Sequence, residues 1–348
     1  MKKTFEINIG VIVAGGVLIL FSLLFYFLLM TGIQLPNDDE EYYLLTIPMG
    51  ASLGQVADSL LSLGVTDSRR EVTTAGRMLG ADKLIKAGRY KLKAGSRLYE
   101  IFNLITSGDV EPIVVTLLEG WSARRIAEEL ADKLDINKTL FKNHLSDSAY
   151  IRSLGMDVPH LEGYLYPDTY HFSFGMNEKS MIQWMVTLFF EKFGEAEKRR
   201  AEELSMSVRE IITLASIIEG EVVQDEERPI VSSVYHNRLN NGMRLQADPT
   251  IQYILTDGPR RLSRKDLFIK SPYNTYRHSG LPPGPIGNPG FPSIQAALWP
   301  AETDFIYFVA TGDGYHTFSN TLEEHNIAKQ KLRKLRQEYD RQQLENAK

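Results

Sequence analysis

The chain has 348 residues, 43% of them apolar, enough for two or more domains with packed cores. A formal net charge of −5 argues against a general nucleic-acid binder, which needs a basic face. The absence of cysteine removes disulfides, thiolate nucleophiles and Cys-ligated metals together.

Residues 1–8 read as a cytoplasmic tail. Ile9 to Met30 carries no charge, and its 22 residues would span roughly 33 Å as a helix, the thickness of a hydrocarbon core. Lys2 and Lys3 precede it and Asp38-Asp39-Glu40-Glu41 follow it, so the positive-inside rule sets the N-terminus in the cytoplasm and the bulk outside. A cleaved signal peptide would have a shorter apolar core and a small-x-small cleavage site, which Leu29 to Gln34 does not offer. The expectation is an uncleaved single-pass anchor in the cytoplasmic (inner) membrane, with the lipid bilayer as partner through residues 9–30 and an acidic linker over 31–44.

A weak repeat follows. Its copies are Thr46 to Ser52, Tyr90 to Ser96 and Val115 to Ser122, each a short extended segment turning at a glycine (Gly50, Gly95, Gly120). Apolar residues then recur at +3, +6, +7 and +10: Leu53, Val56, Ala57, Leu60; Leu98, Ile101, Phe102, Ile105; Ala123, Ile126, Ala127, Leu130. That spacing is one face of a helix with N-cap chemistry at its start, so a helix should begin just after each glycine. Strand–turn–helix units of this size resemble LysM-type modules, which recognise N-acetylated glycans; small strand–helix units also recur in unrelated folds.

Asp135 to Lys179 reads as a connector, helical at first, and then turn-rich from Leu161 to Tyr170, where Gly163 and Pro167 interrupt three tyrosines. Glu162 and Asp168 could accept from sugar hydroxyls and Tyr164 could stack on a ring, or the segment could be a packed wall. Ser180 to Glu221 reads as two helical segments. Ile211 to Ile218 is apolar nearly all round, broken only by Thr213 and Ser216, the mark of a buried helix. Glu219 stands at its end, where desolvation would raise a carboxyl pKa as a general acid needs. A helix stopping at Gly220 would push the same way through its dipole. The competing reading is a buried Glu paired with a nearby arginine. Arg228 to Asn240 has helical spacing. Asp248 before Pro249 reads as a loop-holding turn residue. Ser271 to Pro300 is a long Pro- and Gly-rich loop read as an ordered wall. Phe305 to Ala310 and Tyr315 to Phe318 read as strands, and Asn320 to Lys348 as a polar helix.

Taken together, Leu161-Glu162-Gly163-Tyr164-Leu165-Tyr166-Pro167-Asp168-Thr169-Tyr170, Ala215-Ser216-Ile217-Ile218-Glu219, Asn237-Arg238-Leu239, Gly242 to Thr250, Tyr273-Asn274-Thr275-Tyr276, Gly280 to Ile286, Asn288-Pro289-Gly290 and His316 with Phe318 resemble the YceG-like family over roughly residues 45 to 335. Two departures are Gly220, where the family usually has Lys, and Tyr166, where Phe is common. The resemblance implies a lytic enzyme of peptidoglycan at the outer face of the inner membrane, with catalytic Glu219. The implied fold is α+β: a transmembrane helix, a LysM-like region over 45–134, then a mixed α+β catalytic domain over 135–348.

Hydrolysis of a glycoside uses two carboxylates at fixed separation. Glu219 and Glu221 would point about 200° apart on a continuing helix, so they are excluded as that pair unless Gly220 breaks it. A lytic transglycosylase needs one acid/base. Glu219 would protonate the oxygen of the β-1,4 bond between N-acetylmuramic acid and N-acetylglucosamine. It would then deprotonate the muramic C6 hydroxyl as a 1,6-anhydro ring closes. Cutting within strands would terminate the elongation of nascent glycan. Candidates for holding sugar groups are Gln246, Asp248, Thr250, Tyr273, Asn274, Thr275 and Tyr276, with Glu162, Tyr164, Asn288 and Ser293. Partners implied are glycan strands and, as candidates, peptidoglycan synthases; no nucleic acid is expected. The seven histidines form no His-Glu-x-x-His or i, i+4 pair, so neither metal nor cofactor is expected. Rival readings are a membrane-tethered glycan-binding scaffold and a two-carboxylate muramidase. A neutral amide at position 219 is expected to leave stability unchanged or raised.

Overall fold

The computed structural model describes residues 9–30, 41–134 and 136–346. The tail over 1–8 and the linker over 31–40 lie outside them. The described residues form fourteen α-helices, three short 3₁₀ turns and three two-stranded sheets, a mixed α+β chain, and contacts divide it into two units.

The first unit holds residues through Val114 with His171–Met176. Helix α1 (Ile9–Met30) has 22 residues and no acidic or basic side chain. Among the residues whose side chains are described, no helical stretch is long and apolar enough to cross a membrane. Strand β1 (Tyr42–Ile47), helices α2 (Leu53–Ser62) and α3 (Arg69–Met78), and strand β2 (Gly88–Lys93) follow, with β1 and β2 antiparallel. Helix α4 (Leu98–Ser107) closes the unit. Alternation along β1 turns Tyr43, Leu45 and Ile47 inward, and register sets Leu45 opposite Tyr90. These residues form one core with the buried faces of α2, α3 and α4. Ser52 caps α2 through a reciprocal capping box with Gln55. At Gly76 of α3 a Cβ would lie 2.5 Å from Leu53 and 2.8 Å from Phe102, so the helix packs at glycine distance. Gly76→Ala is therefore expected to cost about 1–3 kcal/mol through overpacking, read as a lower melting temperature; an unchanged melt would mean that the flanking side chains reorient freely.

The second unit holds Val115–Tyr170 and Asn177–Lys348. Strands β3 (Ile113–Thr116) and β4 (Thr169–Phe172) pair where the chain passes between units. Helix α5 (Ala123–Lys133) is the third copy of the repeat, and its packing puts it in this unit. In all three copies the glycine has positive φ (71°, 78° and 76°), and the helix begins three residues later at Leu53, Leu98 or Ala123. The twelve apolar positions named from spacing are the buried faces of α2, α4 and α5.

Helices α6 (Lys138–His144) and α7 (Ser148–Ser153) lead to the turn-rich segment and β4. Ser180 to Glu221 lies within three helices, not two: α8 (Glu178–Lys192), α9 (Glu195–Glu203) and α10 (Val208–Glu221). The extra break falls at Gly194, which starts α9. Helix α11 (Arg228–Asn240) matches the expected span. Asp248 opens a helix, α12 (Asp248–Ile254), with Pro249 in its first turn, a position that tolerates proline because no intrahelical N–H is needed there. After a long irregular loop, α13 (Phe291–Leu298) packs on α10 and α11. Strands β5 (Tyr307–Ala310) and β6 (His316–Ser319) form an antiparallel hairpin against α14 (Leu322–Asn346).

Candidate active site

Ser207 caps helix α10, its side chain accepting from Glu210 N–H, and residues Ile211 to Ile218 are all buried. Gly220 does not end it; the helix runs to Glu221 with its cap at Val222. Gly220 is needed for another reason: a Cβ there would lie 2.7 Å from Pro249, so the start of α12 packs directly on this turn. Because the helix continues, the two acids diverge. Tyr235 donates its hydroxyl to Glu221 Oε1 at 2.8 Å. Glu219 turns the other way, where Arg228 Nη1 donates to its Oε1 at 3.3 Å and Gly290 N–H to its Oε2 at 3.0 Å. The side chains of Glu219 and Arg228 are 7% and 8% exposed, so the ion-pair reading of Glu219 describes its resting contacts.

Arg228 is itself held. Its Nη1 donates to Ser293 Oγ at 2.6 Å, and its Nε donates to Asp225 at 2.9 Å. Just before it, buried Glu227 accepts from the His316 backbone N–H at 2.9 Å and contacts the His316 ring at 2.7 Å, which ties the β5–β6 hairpin to the start of α11. Asn237 and Arg238 of α11 donate to the carbonyls of Thr303, Phe305, Ile306 and Leu245, so that motif organises loops.

Two loops complete the surroundings of Glu219. Gly120 N–H donates to Asn288 O at 2.8 Å and Asn288 N–H to Trp121 O at 2.9 Å, lacing residues 120–121 to 288. Ser216 of α10 accepts from Ile286 N–H at 3.0 Å, which fixes the second loop to the helix. The approach is close: a Cβ on Gly120 would lie 3.4 Å from Glu219 Cγ, and one on Gly287 would lie 2.5 Å from Gly120 O.

Glu119, absent from the sequence-based candidates, stands beside this turn. Its carboxyl lies on Gly290, where a Cβ would come within 1.9 Å of Oε1. Burial and then the charge of Glu219 push the Glu119 carboxyl up, against a pull from Arg228. Arg228 and Gly290 were also missed from sequence.

The eleven candidate binding residues divide by what their polar atoms do. Asn274 is fully buried and donates to Leu267 O and Ile269 O while accepting from Tyr276 N–H. Thr275 and Thr250 share a hydroxyl contact of 2.9 Å, and Thr275 also accepts from Ala247 N–H. Ser293 faces Arg228, Tyr164 is buried, and Asn288 makes four side-chain hydrogen bonds inside the protein. Buried Glu162 accepts from Ala123 N–H at 2.7 Å and from Tyr253 at 3.3 Å. Four remain open to solvent: Gln246, Asp248, Tyr273 and Tyr276. Gln246 is held at φ 51°, a costly conformation for a side chain of this kind. Tyr276 donates to Asp248 Oδ1. A cavity of about 400 Å³ lined by Arg228, Pro292, Gln295 and half-exposed Trp299 opens beside the arginine. No cluster of three or more His, Asp or Glu able to hold a metal occurs among the described residues.

Glu162 and Glu221 have carboxyls pushed from 4.5 to about 7, chiefly by burial. Below 4.5 they are protonated in both folded and unfolded chains. Between 4.5 and 7 the unfolded chain releases protons that the folded chain keeps, so their contribution to stability is lost across that window. The melting temperature should fall as pH rises through it, with a loss on the order of 2–3 kcal/mol for each group. Glu221→Gln should flatten the fall; the same slope in this variant would remove Glu221 as its source.

The YceG-like family model matches residues 45–331. An endolytic murein transglycosylase of Bacillus subtilis is 34% identical over 310 residues, 85% of this chain and 86% of that protein. One of Streptococcus pneumoniae is 26% identical over 326 residues, covering 84% of this chain and 59% of the longer relative. The crystal structure of a yceG-like protein of Listeria monocytogenes superposes with a TM-score of 0.60 at 31% identity, over 82% of this chain and 98% of that one.

Proposed function

The chain belongs to the YceG-like family, and on that premise we propose that it is an endolytic murein transglycosylase acting through Glu219. The reaction cuts the β-1,4 bond between N-acetylmuramic acid and N-acetylglucosamine inside glycan strands and leaves 1,6-anhydro ends. The observation that carries the role of Glu219 is its place at the last turn of a buried helix, in close contact with Gly120 and hydrogen-bonded by Gly290 N–H. Binding displaces water there, and the carboxyl gives a proton to the leaving oxygen and takes one from the muramic C6 hydroxyl. Gln246, Asp248, Tyr273 and Tyr276 contact sugar groups, and the buried Asn274, Thr275, Thr250, Asn288, Ser293, Glu162 and Tyr164 shape the wall. Trp299 and Gln295, beside Arg228, offer a stacking face and an amide for another sugar ring.

The muramidase reading loses its first pair, because Glu221 bonds Tyr235 while Glu219 bonds Arg228 and Gly290. Product analysis on purified glycan strands decides: anhydro-muramoyl ends support the lyase, reducing muramic ends a hydrolase, and intact strands a scaffold.

Residues 9–30 anchor the protein in the cytoplasmic membrane, with the catalytic unit on its outer face. Support comes from the length of α1, its lack of charge and the flanking Lys2 and Lys3. A reporter fused after Lys348 should be active only outside the cytoplasm; cytoplasmic activity would reverse the topology. The β1-α2-α3-β2 order, with its antiparallel pair, supports a LysM-like glycan-binding role for the first unit. On the outer face the enzyme would meet nascent strands and the synthases that make them, and cutting there ends elongation.

A further inference from the structure

We propose that Glu119 is a second catalytic carboxyl, paired with Glu219 across Gly290, and that the two share the single proton the reaction moves. The proposal rests on the transglycosylase reading above and deepens its site.

Geometry brings the two groups together. Glu219 Oε2 accepts from Gly290 N–H at 3.0 Å, and the Glu119 carboxyl lies against the same residue, within 1.9 Å of where a Cβ would stand. Only glycine at 290 lets both carboxyls reach this backbone. The adjoining turn is fixed by the Gly120–Asn288 hydrogen bond and lies against Glu219 Cγ, so Glu119 does not wander from its partner. Both oxygens of Glu219 already accept, from Arg228 and from Gly290. Glu119 is exposed to solvent. The repeat gives an independent sign. The residue before the turning glycine is Met49 in the first copy and Ala94 in the second, and only the third, beside Glu219, carries an acid.

In the step, which divides between two carboxyls the acid and base roles given above to Glu219 alone, the proton held by the pair passes from Glu119 to the glycosidic oxygen as the C1–O4 bond breaks and its electron pair goes to O4. The muramic C6 oxygen forms the new bond to C1, and its proton goes to Glu219. One proton is spent and one regained, so the pair ends with the count it began with, and no water or oxidant is consumed. Burial and then the charge of Glu219 push the Glu119 carboxyl up, so Glu119 is the member of the pair that holds the proton. The groups facing Glu119 are Glu219 on α10, Arg228 on α11, Asp225 in the turn before it, and Tyr166.

The test measures kcat against pH on the full chain with purified glycan strands, for the parent, Glu119→Gln and Glu119→Asp, alongside thermal melts. Glu119→Gln should lower kcat about 100-fold, the usual scale of general acid–base catalysis. It should also shift the alkaline limb, since the carboxyl that burial and the charge of Glu219 push up is gone. Glu119→Asp keeps a carboxyl, so it should retain part of the rate and the parent limb. A parent rate in Glu119→Gln overturns the proposal, and so does a lowered rate with an unmoved limb, which marks a purely structural residue. If Glu119→Gln does not fold, the Asp variant carries the test: a displaced alkaline limb in it refutes the pairing. Failure of the parent to release anhydro ends would sink the transglycosylase reading instead.

Discussion

Glu219→Gln should release anhydro ends at least about 100-fold more slowly than the parent, with the chain still folded at assay temperature. The amide keeps the volume of the carboxyl and one acceptor but can neither give nor take a proton. Stability should drop, in contrast to the expectation from sequence of no change or a gain. That expectation took the carboxyl for an unpaired buried group. In the structure it accepts from both Arg228 and Gly290 N–H, and an amide oxygen can serve only one of them at a time. The donor left over costs about 1–3 kcal/mol. Arg228 keeps Ser293 and Asp225, which limits the damage. Two readouts separate catalysis from packing: residual rate per folded molecule, and the melting temperature. A folded variant cutting at the parent rate would remove Glu219 from the mechanism. Glu221→Gln should cut close to the parent rate, because its side chain meets Tyr235.

What could be read in the sequence is what repeats with a period. Leu53, Leu98 and Ala123 begin helices because a turning glycine and a cap stand at the same distance before each, and the 3.6-residue spacing then names the buried face. Glu219 could be found for a related reason: eight successive buried positions on α10 leave it as the first group to emerge. Gly220 was harder, since glycine within a helix signals an ending as readily as a close contact. Here the contact with Pro249 decides. Polar residues are the least legible. Asn274, Thr275 and Gln246 stand in similarly polar stretches, yet Asn274 spends its hydrogen bonds on nearby backbone, Thr275 on Ala247 N–H and the Thr250 hydroxyl, and Gln246 faces solvent. Asn274 bonds only residues within seven positions of it, whereas the partners of Thr275, Ala247 and Thr250, are brought in by the fold. Glu119 was hidden in the same way: it belongs to a repeat whose other copies have no acid, and its role depends on Gly290, 171 positions away (290 − 119).

Asn288→Ala should be the most destabilising single change in the catalytic unit. The side chain is fully buried and joins three segments. Its Oδ1 accepts from Gly163 N–H at 3.0 Å and Leu165 N–H at 2.9 Å, and its Nδ2 donates to Trp121 O at 2.8 Å and Glu162 Oε1 at 3.3 Å. Alanine leaves two buried N–H groups without these partners, at about 1–3 kcal/mol each where no water can reach them, while the Trp121 carbonyl keeps its bond from the residue 288 backbone N–H. A total of about 3–5 kcal/mol is a large part of a typical domain's 5–15. For a unit of this size it corresponds to a fall in melting temperature of roughly 10 °C. Activity should fall further than the folded fraction does, because the residue's own backbone holds Gly120 beside Glu219. Asn288→Asp tests the same network by charge. It keeps both N–H partners but sets a carboxylate oxygen against Trp121 O and Glu162. The carboxyl of Glu162, pushed up to about 7, can donate a proton to that oxygen at lower pH. The Asp variant should therefore melt much closer to the parent at about pH 5 than at about pH 8, since ionising Glu162 places two like charges in contact. A loss independent of pH would mean that water or a shifted loop separates the two side chains, and a drop below about 2 °C for the alanine variant would show that the three segments are held together by other contacts.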